Sequence, residues 1–139
     1  MQISEDAELP EVRIESVSAE RMQTMAVLLQ DPNPIHLDAR EVQRLGMGDR
    51  VVNQGPANMG YVANVLLQAM PGATLERFTV RFLGNVFAED TVIARARVDR
   101  VEELADGRCR ASCTVSLAVE GGDQVLSGTA SAVFPVAGR

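Results

Sequence analysis

Two hydrophobic periods divide this chain. Up to about residue 70 apolar residues mostly recur at three- and four-residue spacing, and beyond it they alternate. An opening stretch, Glu11 to Val17, already alternates polar and apolar residues as a half-buried strand does. Ser18 then offers a side-chain oxygen to a helix start. Met22, Met25, Ala26 and Leu29 share one face, which predicts an amphipathic helix over Ala19 to Leu29. Asp31-Pro32 ends it. Asp38 and Glu41 stand at capping-box spacing for a short helix to about Leu45, closed by Gly46 and Gly48. Gly55-Pro56 opens a third helix, because proline suits a first turn. From Ala57 to Met70 that helix is apolar almost all round, which predicts burial on most sides. Pro71-Gly72 stops it.

The remainder alternates. Phe78, Val80 and Phe82 face away from Arg77, Thr79 and Arg81. Val92 to Val101 places Ala94, Ala96 and Val98 on one side. Asp106-Gly107 is a hairpin signal, Cys109 to Val119 alternates again, Gly121-Gly122 turns the chain, and Gln124 to Val136 is the last strand. One long buried helix followed by a four-stranded antiparallel meander gives an α+β fold, with a curved antiparallel sheet wrapped around the central helix.

The 139 residues suit a single domain, 1–139. No apolar run is long enough to span a bilayer, so no membrane partner is expected. The acidic start lacks the basic region and apolar core of a signal peptide, and a cytoplasmic location is the default expectation. Cys109 and Cys113 are four residues apart in one strand, roughly 13 Å at strand rise, too far for a disulfide. The net charge of −6 excludes nucleic acid as a natural partner. All thirteen basic residues are arginine, so any anion site must use arginine or backbone amides.

The candidate chemistry lies in Asp31-Pro32-Asn33-Pro34-Ile35-His36, which holds the only histidine. Each proline pushes the residue before it away from helix, so a stiff, bent, non-helical loop is expected. Such a loop can fix a carboxylate and an imidazole, a natural acid/base pair. Taken alone, the pattern also fits a helix stop followed by a hydrogen-bonded loop histidine. A metal set is hard to assemble from one histidine and two distant cysteines, so no metal is expected.

Asp31-Pro-Asn-Pro-Ile-His-Leu-Asp38 resembles the D-x-N-P-x-H-x-D signature of the MaoC-like (R)-specific enoyl-thioester hydratases and dehydratases, which have the hot-dog fold. The resemblance spans about residues 20 to 135. Leu75 to Phe82 is similar to the family strand after the central helix. The following Val86-Phe-Ala-Glu-Asp90 lacks the usual proline and has Glu89 where glycine is common. Gln54-Gly55-Pro56 stands where many members have His-Gly, often followed by methionine. The resemblance implies reversible syn hydration of a trans-2-enoyl thioester to the (R)-3-hydroxyacyl thioester. Asp31 and His36 would activate the water, and the Gly55 N–H would serve as oxyanion donor. Asn33, Asn53, Gln54 and Tyr61 are the candidate substrate-side residues, with Asn33 holding the loop through an Asx bond. Coenzyme A or an acyl carrier would bear the acyl group, with no separate cofactor. A homodimer or higher homo-oligomer, joined edge to edge, is implied.

Other polar residues have plainer readings. Arg77 and Arg81 suit a phosphate but fit a solvated strand face better. Tyr61, Asn64 and Gln68 form a stripe that could line an acyl tunnel or a dimer seam, and Met22, Met25, Met59 and Met70 read as core filler. Two rival functions remain. A hot-dog thioesterase normally carries a carboxylate near its central helix, and positions 56 to 70 have none. The other rival is non-catalytic, either a partner subunit of a heteromeric dehydratase or an acyl-binding module.

Overall fold

A computed structural model of the chain describes residues 2–136. Strand β1 (Val12–Ile14) leads to helix α1 (Ala19–Leu29). A single 3₁₀ turn (Pro34–His36) and the short helix α2 (Ala39–Arg44) follow. Helix α3 (Gly55–Ala69) precedes strands β2 (Thr74–Phe82), β3 (Val92–Glu103), β4 (Cys109–Val119) and β5 (Gln124–Phe134). The expected α+β class holds: one antiparallel sheet curves around α3, in the hot-dog arrangement.

The strand order corrects the expected four-stranded meander. Among the described residues the sheet has five strands in the order β1-β3-β4-β5-β2. Strands β3, β4 and β5 do form a meander through the two predicted turns. Strand β2 pairs with β5 instead of β3, and β1 covers the other edge of β3 through Val12, Arg13 and Ile14. The physical reason lies in the connections. A tight turn forces neighbouring strands together, whereas the longer segment 83–91 carries the chain from β2 at one edge past β5 and β4 to β3. Gly128 makes the β2–β5 pairing possible, since a Cβ there would stand 2.1 Å from the Thr79 carbonyl oxygen.

Helix α3 buries Val62, Val65 and Leu66 in one core with Ala94, Ala96, Ala111, Ala130 and Ala132 of the sheet. These small sheet residues let the helix lie close. Truncating Leu66 would cost about 2–5 kcal/mol. The helix is not buried on most sides, however. Asn64, Leu67 and Gln68 are exposed, because the sheet of this one chain covers a single face. Met22 and Met70 are core residues. Both cysteines are free thiols, and burial pushes Cys113 up to about 11.

The local signals mostly act as read. The Ser18 hydroxyl oxygen accepts from Arg21 N at 3.2 Å and caps α1. Only half of the predicted capping box forms at α2. Asp38 Oδ1 accepts from Arg40 N at 2.9 Å, but Glu41 turns forward to an ion pair with Arg44. Glu89, standing where glycine is common in the family, adopts φ 74°, a left-handed conformation that disfavours side chains.

Candidate active site

The proline-rich loop departs from its expected shape in one respect. Asp31 to Asn33 is non-helical, but Pro34 begins a 3₁₀ turn ending at His36. Proline disfavours helix in the residue before it, yet its own fixed φ suits a first helical position. The loop is clamped from inside. Asp31 Oδ1 accepts from Asn33 N at 3.1 Å. Asn33 Oδ1 accepts from Ile35 N at 3.2 Å, the predicted Asx bond. With Oδ1 engaged, Asp31 Oδ2 faces His36 Nε2 across 3.4 Å.

Burial separates the two members of this pair. The His36 side chain is 9% exposed and that of Asp31 is 36% exposed. His36 Nδ1 donates to the Val52 carbonyl oxygen at 2.6 Å. A carbonyl only accepts, so Nδ1 carries a proton, and a ring with a single proton presents a bare Nε2 to Asp31. The 3.4 Å gap exceeds a good direct hydrogen bond. Two acceptors at that spacing can instead hold the two O–H groups of one water molecule.

The same Val52 fixes the loop a second time, through its N–H to the Ile35 carbonyl oxygen at 2.9 Å. On its other side this segment is tied to residues 86–88. Asn53 N donates to Val86 O at 2.7 Å and Ala88 N to Val51 O at 2.9 Å. Arg50 Nη1 braces the join by donating to Ala88 O and Asp90 Oδ1 at 2.8 and 2.9 Å. Three residues beyond Val52, Gly55 opens α3. Among the described residues its N–H donates to no backbone or side-chain acceptor, as expected of a first-turn amide. The positive end of the helix dipole points the same way.

The remaining predicted residues fall into two groups. Asn53 is buried beside α3, and its Nδ2 donates to Asn58 Oδ1 at 2.8 Å and to Tyr61 Oη at 3.3 Å. Gln54 is wholly buried, and its Nε2 donates to the Met22 carbonyl oxygen of α1 at 2.8 Å. Arg77 and Arg81 are exposed on β2. Among the described residues no three His, Cys, Asp or Glu side chains form a metal-ligand group. Among the described residues no helix is long and apolar enough to cross a membrane.

Three participants escaped the sequence reading. Val52 acts through its backbone, which leaves no residue-type signal. Asn58 is a polar residue in the first turn of an apolar helix, a signal that went unused. Phe82 matched the alternating strand pattern, yet its ring lies against Gly55, where a Cβ would stand 3.0 Å from Phe82 Cζ.

The model of the MaoC like domain matches residues 5–119 of this chain. The chain belongs to the MaoC-like dehydratase family. No curated protein matches at a significant level. Among solved structures, the MaoC-like fold is similar to R-hydratase PhaJ1 from Pseudomonas aeruginosa, with TM-score 0.80 and 21% identity over 96% of this chain and 83% of that one. The (R)-hydratase of A. caviae involved in PHA biosynthesis has TM-score 0.80 and 23% identity, covering 93% and 97% of the two chains. The ChsH1-ChsH2 complex from Mycobacterium tuberculosis gives TM-score 0.81 at 17% identity, covering 96% and 99%. At these identities the likeness establishes the fold. Membership in the family comes from the domain match.

Proposed function

We propose that this MaoC-like domain hydrates trans-2-enoyl-CoA reversibly to (R)-3-hydroxyacyl-CoA. The observation that carries this reading is the Asp31 Oδ2–His36 Nε2 juxtaposition at 3.4 Å, with the opposite edge of the imidazole locked on Val52. One water donates to both acceptors, leaving an oxygen lone pair for the β-carbon. Asp31 takes a proton as the hydroxyl forms its bond to that carbon, and His36 holds the other O–H. The proton taken is returned to the α-carbon on the same face, so H and OH add syn. Electron density moves onto the thioester oxygen, which the Gly55 N–H stabilises. Asn33 keeps the loop rigid, Asn53 and Tyr61 form the polar wall beside the entry to α3, and Gln54 supports that entry from inside.

The acting form is a homo-oligomer that uses an acyl-CoA or acyl-carrier thioester. A second reading, a subunit that needs a different partner chain, draws on the heteromeric complexes among its structural neighbours. Both are tested with purified protein on trans-2-butenoyl-CoA, following loss of enoyl-thioester absorbance and the configuration of the product. Asp31→Asn and His36→Ala should each lower turnover by roughly 10²–10⁴-fold. Near wild-type turnover in either variant ends the dyad mechanism. Inactivity of the isolated chain, with size exclusion showing a monomer, favours the subunit reading.

A further inference from the structure

We infer that Gln54 is a positioning residue, whose buried amide holds helix α1, which leads into Asp31, in register with the Gly55 end of α3. This rests on the hydratase reading and concerns how its two halves are kept together. Gln54 is 0% exposed. Its Nε2 donates to the Met22 carbonyl oxygen at 2.8 Å, while its Oε1 is sealed from solvent and has no hydrogen-bond partner among the described residues. Since Met22 O can only accept, the amide orientation is fixed and the unpartnered atom is the oxygen.

A sealed, unpaired amide oxygen is destabilising. A leucine would fill a similar volume without it. Met22 lies inside α1, where helical geometry already gives its carbonyl a donor four residues on. Losing the Gln54 bond would therefore orphan nothing. Gln54 is also the N-cap residue of α3 but makes no side-chain cap bond, so helix capping does not account for the amide either. What an amide supplies here, and an aliphatic chain does not, is a directional link between two helices.

That link joins the parts of the site. At the end of α1, Asp31 N donates back to Ala26 O at 3.0 Å, so the helix sets where the Asp31 carboxylate begins. On the other side, Gln54 lies between Val52, whose carbonyl holds His36, and Gly55, which opens α3 and whose N–H is the proposed oxyanion donor. Without the link α1 can shift against α3 while the core stays filled.

The test compares wild type with Gln54→Leu and with Gln54→Met, whose flexible side chain guards against misfit. Both variants should melt at the wild-type temperature or above. Turnover of trans-2-butenoyl-CoA should fall about tenfold or more, with KM within about twofold of wild type. The Nδ1–H proton of His36, the only histidine, should exchange with solvent faster in both variants. Lower melting with unchanged turnover, or unchanged His36 exchange, would overturn the inference and leave Gln54 a packing residue. If wild type hydrates no enoyl-CoA, the hydratase reading fails, and His36 exchange still decides the positioning role.

Discussion

The Val52 carbonyl oxygen lies 2.6 Å from His36 Nδ1, and this bond decides which edge of the imidazole is basic. It forces the proton onto the buried nitrogen and leaves Nε2 bare on the side of Asp31. In the neutral state His36 should therefore be the Nδ1–H tautomer. Nitrogen NMR shifts of the single histidine will report this directly. An Nε2–H tautomer would turn that edge into a donor and remove one of the two acceptors for water.

Gly55→Ala probes the entry to α3. The new Cβ would stand 3.0 Å from Phe82 Cζ and 3.3 Å from Cε1. The Phe82 ring is half exposed and can swing aside, so stability should change by no more than about 1 kcal/mol. The displaced ring then crowds the amide proposed as the oxyanion donor, and turnover should drop about tenfold. Adding Phe82→Leu to the same variant should restore much of it. Unchanged turnover in Gly55→Ala would mean that the Phe82 ring moves aside without crowding that amide.

Glu89→Gly should stabilise the domain. Glu89 has φ 74°, a conformation that costs a residue with a Cβ about 1–2 kcal/mol. Glycine returns part of that gain through its freer unfolded chain, about 0.5–1 kcal/mol. A net rise of up to about 1 kcal/mol is expected, read as a higher urea midpoint at unchanged slope. The Glu89 N–H bond to Val17 O is a backbone bond and survives the change. A lower midpoint would mean that the Glu89 side chain contributes more than its backbone strain costs.

Cys113 gives a pH prediction. Burial raises its thiol from an ordinary 9.0 to about 11, with the Asp99 carboxylate adding to the shift. The folded chain thus keeps a proton that the unfolded chain releases first. The stability linked to that proton is complete below pH 9 and is lost as pH rises toward 11. Stability measured across this range should fall more steeply for wild type than for Cys113→Ala. Parallel curves would contradict a buried protonated thiol.

Much of the architecture was legible because local rules and global packing agree. Ser18, Pro56 and the alternation around Val98 and Val115 each name an element from nearby residues alone. The boundaries of α1, α2 and β4 follow. The D-x-N-P-x-H-x-D spacing also pointed to two side chains that lie together, Asp31 and His36, because two prolines restrict the loop whatever surrounds it. The capping box failed at Glu41 because Arg44, one turn on, competes for its carboxylate.

By itself the sequence determined the periodicity, the turns and the candidate acid/base pair, all of which depend on residues close together in the chain. Only the tertiary structure decided that β2 lies on β5, that Val52 sets the His36 tautomer, and that Gln54 reaches α1. These depend on backbone groups and helix faces brought together across long loops. Such contacts carry no mark in residue type, since every carbonyl can accept and only the fold chooses which donor it meets.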